Sequence, residues 1–269
     1  MQDLRDKVIL LTGSTDGLGR ALAQALAAQG ACVLLHGRDA ERLEALRAEL
    51  AAAGAVVRSY LADFSDLTQV MAMLRHLQQH ETRLDVLINN AGLGLEAERR
   101  RSVDGHEQVF QVNYLVPWLL SQHLAGLLAA SGGRIINIAS NAQFPLDLDD
   151  LMSEKQWHPA LAYGKSKLAL ICASYTQAEE LAAQGIAVAA LHPATLMPSK
   201  MIRGWFEPQD SFADGVRHVL QLLQAAALTP GRACYFDRAQ AAEPHAQAQD
   251  AAHRAQLQVR TRDLLQAYL

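Results

Sequence analysis

Short runs of Val, Ile, Leu and Ala alternate along the chain with longer stretches in which apolar residues recur every three or four positions. The short runs fall at 7–12, 31–37, 56–61, 84–89, 134–139, 186–192 and 232–236. The longer ones cover 18–29, 40–53, 66–80, 105–130, 161–184 and 211–226. Strand-length runs separated by helix-length segments form the pattern of repeated βαβ units. Runs such as Val8-Ile9-Leu10-Leu11 and Val86-Leu87-Ile88 show no polar alternation, so both of their faces must be covered. The expected fold is α/β, a doubly wound parallel sheet of about seven strands flanked by helices. No Pro/Gly/Ser linker interrupts the alternation, which predicts a single domain over 1–269. Residues 239–249, rich in Ala and Gln, read as a surface excursion before a last helix near 250–267, with a disordered tail as the other reading.

One segment tests the assumption of a soluble protein. From Gln108 to Gly133 no residue carries a formal charge when His123 is neutral, and a membrane span needs about 20 apolar residues. Gln111, Asn113, Pro117, Ser121, Gln122 and His123 lie within it and would be costly in lipid. A helix buried in the core or at an interface is expected, and no membrane span. Lys and Arg number 24 against 28 Asp and Glu, a net charge of -4, so nucleic acid is not an expected partner. Cys32, Cys172 and Cys234 stand far apart in apolar settings without metal-ligand spacing. No metal site is expected, and a reducing, cytoplasmic home fits. The apolar run at 8–12 is too short for the core of a secretion signal.

The first strand is followed at once by Thr12-Gly13-Ser14-Thr15-Asp16-Gly17-Leu18-Gly19 and then by a helix. Glycines allow a tight turn and close approach to a pyrophosphate, and the first N–H groups of the helix supply partial positive charge. The spacing G-x-x-x-G-x-G departs from G-x-G-x-x-G, so pure loop geometry is the competing reading. An acid about 20 residues beyond such a loop binds a ribose 2′-hydroxyl. Here Arg38 stands 19 residues beyond Gly19, and a guanidinium suits a 2′-phosphate. This favours NADP(H), with NAD(H) as the alternative. Asp39 reads as the N-cap of the next helix. Asp16 would repel a 2′-phosphate if its carboxylate pointed inward.

Three further motifs follow in order: Asn89-Asn90-Ala91-Gly92 after the fourth strand, Ile138-Ala139-Ser140 ending the fifth, and Tyr163-Gly164-Lys165-Ser166-Lys167 in the next helix. With the glycine loop in front, the chain from 8 to about 193 resembles the short-chain dehydrogenase/reductase family. The resemblance implies a Rossmann fold. It implies a catalytic tetrad of Asn113, Ser140, Tyr163 and Lys167, with Thr12, Gly13, Gly17 and Gly19 in the cofactor loop. By the same resemblance Asn90, with Ala91 and Gly92, flanks the nicotinamide ribose, Asp63 faces the adenine, and Pro193 and Thr195 lie beneath the nicotinamide. Ala194 replaces the family's usual glycine. A homodimer or homotetramer through the helices at 108–131 and 161–184 is also implied. The 23 residues from Ser140 to Tyr163, and the insertion at 143–159, resemble the retinol dehydrogenase-like and WW-domain oxidoreductase-like group.

Interconverting a carbonyl and an alcohol requires a proton donor that also serves as a base. Tyr163 is the candidate. Moving a phenol from about 10 to near 7 takes roughly 4 kcal/mol, which a cation at about 4 Å supplies under an effective dielectric near 20. Lys167, one helical turn on, is expected nearly to suffice. Ser140 is placed to donate to the developing oxyanion, and the resemblance implies that Asn113 supports the lysine through water. His36, His158 and His192 lack partners and are assigned no catalysis. The expected function is an NADP(H)-dependent carbonyl/alcohol oxidoreductase. Alternatives are a catalytically silent NADP(H)-sensing protein and an enoyl-type double-bond reductase. Apolar residues in the insertion (Phe144, Leu146, Leu148, Met152, Trp157) and in 196–212 (Leu196, Met197, Met201, Ile202, Trp205, Phe206) suggest a lid and a neutral, lipophilic substrate. Core packing of the lid is the competing reading, and Lys200 with Arg203 would instead suit an anionic substrate.

Overall fold

The structure, a computed structural model, describes residues 3–202, 204–225 and 228–269. Its strands are β1 (Val8–Leu11), β2 (Cys32–Gly37), β3 (Val57–Leu61), β4 (Val86–Asn89), β5 (Arg134–Ile138), β6 (Ala187–His192), β7 (Cys234–Asp237) and β8 (Gln240–Ala242). The helices are α1 (Gly17–Ala28), α2 (Ala40–Ala52), α3 (Leu67–His80), α4 (Gln108–Phe110), α5 (Val116–His123), α6 (Ala125–Ala129), α7 (Pro159–Glu180), α8 (Phe212–Leu223), α9 (Ala246–Gln249) and α10 (Ala251–Leu264).

Successive strand residues point to opposite faces, and both faces are dry. Ile9, Leu11, Val33, Leu35 and Ile88 join one core with α1, α2 and α8. Leu10, Leu34, Leu87 and Ile135 join the other with α3, α5 and α7. The helices begin where the sequence provides acceptors for their first N–H groups: Asp16 caps α1, Asp39 caps α2 as expected, and Asp66 caps α3.

The sheet order is β3-β2-β1-β4-β5-β6-β7-β8. Strands β1 to β7 are mutually parallel, and β8 runs antiparallel to β7. Because β1 connects on one side toward β2 and β3 and on the other pairs with β4, a crevice opens at their carboxyl ends. An eighth strand joins the roughly seven expected. Gln240–Ala242 doubles back on β7 inside the segment read as a surface excursion, and α9 lies there too. Three residues of Gln and Ala carry no strand periodicity, so the turn at Arg238 (φ 57) and pairing to β7 define this strand.

The helix-length segment at 105–130 is not one helix. A π turn at Gln111–Leu115 separates α4 from α5, and α6 follows α5. Trp118, Leu119, Leu120 and Ser121 are fully enclosed, which accounts for the absence of charge. Among the described residues no helix is long and apolar enough to cross a membrane. The expected C-terminal helix packs across α5 and α7. Trp118 Nε1 donates to Gln258 Oε1 at 3.0 Å, Tyr114 Oη lies 2.5 Å from Thr261 Oγ1, and Arg254 pairs with Glu179 at 2.7 Å. Helix α10 thus occupies much of the face that the resemblance assigns to a subunit contact. The insertion at 143–159 is held from the same direction. Gln247 accepts from the Leu146 N–H at 2.7 Å and donates to its carbonyl at 3.0 Å, and the His245 N–H donates to Gln143 Oε1 at 2.7 Å.

Candidate active site

The loop from Thr12 to Gly19 is built around two glycines at positive φ, Gly13 (66°) and Gly17 (53°). A third, Gly19, is demanded by close approach: a Cβ there would lie 2.0 Å from the Gly13 carbonyl oxygen. Most polar side chains of the predicted loop hold it in shape. The Thr12 hydroxyl accepts from the N–H groups of Asn90 and Ala91, both at 2.9 Å. Asn90 Nδ2 returns the link to the carbonyls of Thr12 and Gly13 at 2.9 and 3.2 Å. Ser14 spends both its N–H and its hydroxyl on the His36 carbonyl. Leu18 is buried, and the Thr15 methyl packs where a Cβ of Gly37 would otherwise sit. Among the described residues the N–H groups of Leu18 and Gly19 have no backbone acceptor from the loop. A crevice floored by bare backbone and lined by unspent helix N–H groups fits a pyrophosphate.

The sequence reading gave His36 no role, and the structure gives it one. Its Nδ1 accepts from the Gly13 N–H at 3.0 Å and its Nε2 lies 3.1 Å from the Ala62 carbonyl, which places the ring proton on Nε2. The ring stacks on Phe64 at 4.1 Å, and burial pushes its pKa down to about 4. The only sequence signal was a histidine within an apolar strand. Arg38, at the end of β2, is exposed and has no carboxylate partner among the described residues. Asp63 braces its own turn, accepting from the N–H and hydroxyl of Ser65 at 2.9 and 2.8 Å.

Across the crevice the predicted tetrad comes together at the ends of β4 and β5. Tyr163 and Lys167 share one face of α7, with Lys167 Nζ 5.7 Å from the Tyr163 ring centroid. The ammonium is buried and donates to the Ile138 carbonyl at 2.8 Å. Gly92 is the common neighbour. A Cβ there would lie 3.1 Å from Asn113 Oδ1 and 3.6 Å from Lys167 Nζ. The Asn113 side chain bonds both the N–H and the carbonyl of Leu93 at 2.7 and 3.0 Å, and donates to Ser166 Oγ at 3.0 Å. Its backbone has a separate peculiarity. Pro117, four residues on, has no N–H to offer, so the Asn113 carbonyl lacks its α-helical donor just where the π turn sits. Ser140 ends β5 with its hydroxyl accepting from the Ala142 N–H at 3.1 Å and its carbonyl accepting from the Tyr235 hydroxyl at 3.2 Å.

The electrostatics correct one expectation. Burial raises the Tyr163 phenol above its ordinary value, only partly opposed by its hydrogen bond with Ser140. Burial also lowers Lys167 to about 8. In the protein by itself the phenol is not brought near neutrality, because the same desolvation that brings the lysine close also penalises both charged forms.

Four side chains near the site, Asn137, Ser174, His218 and Asp210, went unnoticed in the sequence. Asn89 donates to Asn137 at 2.7 Å and Asn137 to Ser174 at 2.8 Å, a buried polar line from β4 through β5 to α7. Pro193 gives its carbonyl to His218 Nδ1 at 2.7 Å. Thr195 is committed to an anchor: its N–H donates to Asp210 at 2.7 Å, and its hydroxyl meets His192 at 3.1 Å and Arg238 at 3.2 Å. Arg203, a sequence candidate for an anionic substrate, lies outside the described residues.

A Rossmann-type sheet carries a glycine loop on one side of its crevice and the cluster of Ser140, Tyr163 and Lys167 on the other. The family model for short chain dehydrogenase matches residues 7–210, and the chain belongs to that family. Among its relatives, a Streptomyces sp. (strain C5) protein provisionally named daunorubicin C-13 ketoreductase is 42% identical over 62% of this chain and 59% of its own. Mouse retinol dehydrogenase 14 (Mus musculus) is 36% identical over 71% of this chain and 61% of its own. The matched part thus spans about six-tenths of each of these curated relatives. The crystal structure of NADPH-bound carbonyl reductase from chicken fatty liver superimposes with a TM-score of 0.69 at 26% identity, covering 87% of this chain and 97% of that one.

Proposed function

We propose that the protein is an NADP(H)-dependent oxidoreductase that interconverts a carbonyl and an alcohol, with Tyr163 as the acid/base. The observation that carries this reading is the convergence of Ser140, Tyr163, Lys167 and Asn113 across the crevice from a loop shaped for a pyrophosphate. The NADPH-bound carbonyl reductase among the structural relatives supports the choice of cofactor.

When bound, the reduced nicotinamide supplies a hydride to the carbonyl carbon. Gly13, Gly17 and Gly19 leave room for the dinucleotide backbone, and the first N–H groups of α1 face its phosphates. Arg38 takes the 2′-phosphate, and Asn90, Ala91 and Gly92 wall the ribose side. Pro193 and Thr195 would lie beneath the nicotinamide, held there by their anchors to His218 and Asp210. Ser140 orients the carbonyl by a hydrogen bond that strengthens as charge develops on oxygen. Tyr163 gives its hydroxyl proton to that oxygen. A phenol held above its ordinary pKa is protonated throughout the neutral range, which suits reduction. Lys167 shares its positive charge with the phenolate left behind, and Asn113 supports the lysine through water.

The relatives named retinol dehydrogenase support a neutral, lipophilic substrate and membership of their branch. The insertion at 143–159 and the segment at 196–212 would cover it. A cytoplasmic setting suits three cysteines that are free thiols.

The test follows nicotinamide absorbance with a chain-length series of neutral aldehydes and ketones beside matched keto acids. Turnover that rises with apolar length is expected. Tyr163→Phe should lose about 100-fold or more in kcat while cofactor Kd stays within a few-fold, and Lys167→Ala should harm both. Cofactor binding without turnover would instead establish a sensing protein, and saturated products from conjugated carbonyls a double-bond reductase.

A further inference from the structure

Beyond β6 the chain leaves the sheet as a strap pinned at both ends. The Asp210 N–H donates to the Thr195 carbonyl at 3.0 Å and the Gln209 N–H to the Leu196 carbonyl at 3.1 Å, with Leu196 at φ 47. Between these points the strap crosses the mouth of the crevice. A Cβ placed on Gly17 would lie 3.9 Å from Ser199 Cβ, and one on Gly94 only 2.6 Å from Met201 Cβ. Gly94 therefore admits the backbone of the strap. Met201 Cε lies 3.5 Å from the Cβ position of Gly92, the point that Lys167 Nζ approaches to 3.6 Å. One short segment thus touches the glycine loop at one end and the tetrad at the other.

Lys200 sits between these contacts. Its Nζ lies 2.5 Å from Asp16 Oδ2, and Arg42 Nη1 approaches the same oxygen at 3.9 Å. Arg42 Nε is also 3.5 Å from Asp39. Contact between Thr15 and Gly37 brings Arg38 beside the same loop. Two cations, Arg42 and Lys200, therefore meet the carboxylates of Asp16 and Asp39, with Arg38 unpaired on the adjoining end of β2.

We infer that Lys200 is a ligand for a phosphate of the dinucleotide, bringing from the strap a cation to the glycine loop where the loop itself carries Asp16. The inference rests on the NADP(H) reading above and adds to it a residue far from the loop in sequence. Asp16 and Lys200 are 56% and 58% exposed, and ion pairs so exposed are weak and readily exchanged. A phosphate offers more charge and more acceptor oxygens than one carboxylate, so the ammonium moves to it while Arg42 and the Gly17 N–H retain Asp16. Since Lys200 and Met201 are neighbours, holding the phosphate also sets the strap over the tetrad.

The sign of one substitution decides the matter. Calorimetric titration of the full chain with NADPH and with NADH gives Kd without turnover. Lys200→Met is expected to weaken NADPH by about tenfold, with Lys200→Arg restoring most of the loss. NADH unchanged by Lys200→Met assigns the contact to the 2′-phosphate, and an equal loss for both dinucleotides assigns it to the pyrophosphate. Asp16→Asn keeps the helix cap and releases the ammonium, so it should tighten NADPH a few-fold. If Lys200→Met binds both dinucleotides as tightly as the parent protein or more tightly, Lys200 is only a latch and the inference fails alone. A parent protein that binds neither dinucleotide overturns the inference and the proposed function together.

Discussion

Arg38 and Asp16 pose opposite charges to a cofactor at the same loop, and their surroundings decide which prevails. Arg38 is exposed and unpaired among the described residues, whereas Asp16 caps α1 and is lowered from its ordinary value by its hydrogen bond with Lys200. The guanidinium is available and the carboxylate is occupied. Arg38→Ala should therefore lower the NADPH-to-NADH ratio of kcat/KM by about tenfold or more, the weight of a hydrogen bond to a charged group. An unchanged ratio would place the phosphate contact elsewhere. At Tyr163 the sequence identified the residue but not its electrostatics. Helical spacing put Lys167 one turn away, yet the desolvation that raises the phenol and lowers the lysine depends on what surrounds α7. Asp39 and Asp63 both make local bonds, Asp39 accepting from the Arg42 N–H as the cap its neighbours announce and Asp63 accepting from the Ser65 N–H.

Strand β2 does more than pair with its neighbours, because His36 on it holds the glycine loop through the Gly13 N–H. His36 and His192 are both pushed by burial down to about 4 from an ordinary 6.5. Between these values the folded protein keeps both rings neutral while the unfolded chain takes up protons. Their contribution is thus complete above pH 6.5 and is lost as the pH falls toward 4. The thermal midpoint should decline across that window, and less steeply in the His36→Gln/His192→Gln double variant. Midpoint profiles of the two proteins running parallel from pH 6.5 to 4 would remove these histidines from the account. Beside them, the π turn at Gln111–Leu115 shows how a single residue alters an element. Pro117 was visible in the sequence only as a cost to a membrane span, whereas in the fold it deprives the Asn113 carbonyl of a helical donor.

At the level of the whole molecule, α10 covers α5 and α7 by way of Tyr114, Trp118 and Glu179. These contacts take up helix faces that a pair of subunits would otherwise share. The full chain should sediment as a monomer, and removal of 250–269 should lower the thermal midpoint and drive association through the uncovered aromatic face. A full chain that sediments as a dimer or tetramer would show that assembly uses another surface or displaces α10. Sedimentation velocity of both forms checks this directly.

The sequence by itself determined the alternation of strands and helices, because continuous Val, Ile and Leu runs have no stable place except between two covered faces. It also located the glycine loop and the tetrad candidates, because turn geometry and the Tyr163-to-Lys167 helical spacing are local properties. Tertiary structure alone decided the eighth strand, the support from His36 to Gly13, and the pairing of Asp16 with Lys200. Each of these joins residues that have no local pattern in common or depends on burial by distant elements. Hydrogen bonds, ion pairs and desolvation act over a few ångströms in space, and no spacing along the chain records which distant residues those few ångströms will contain.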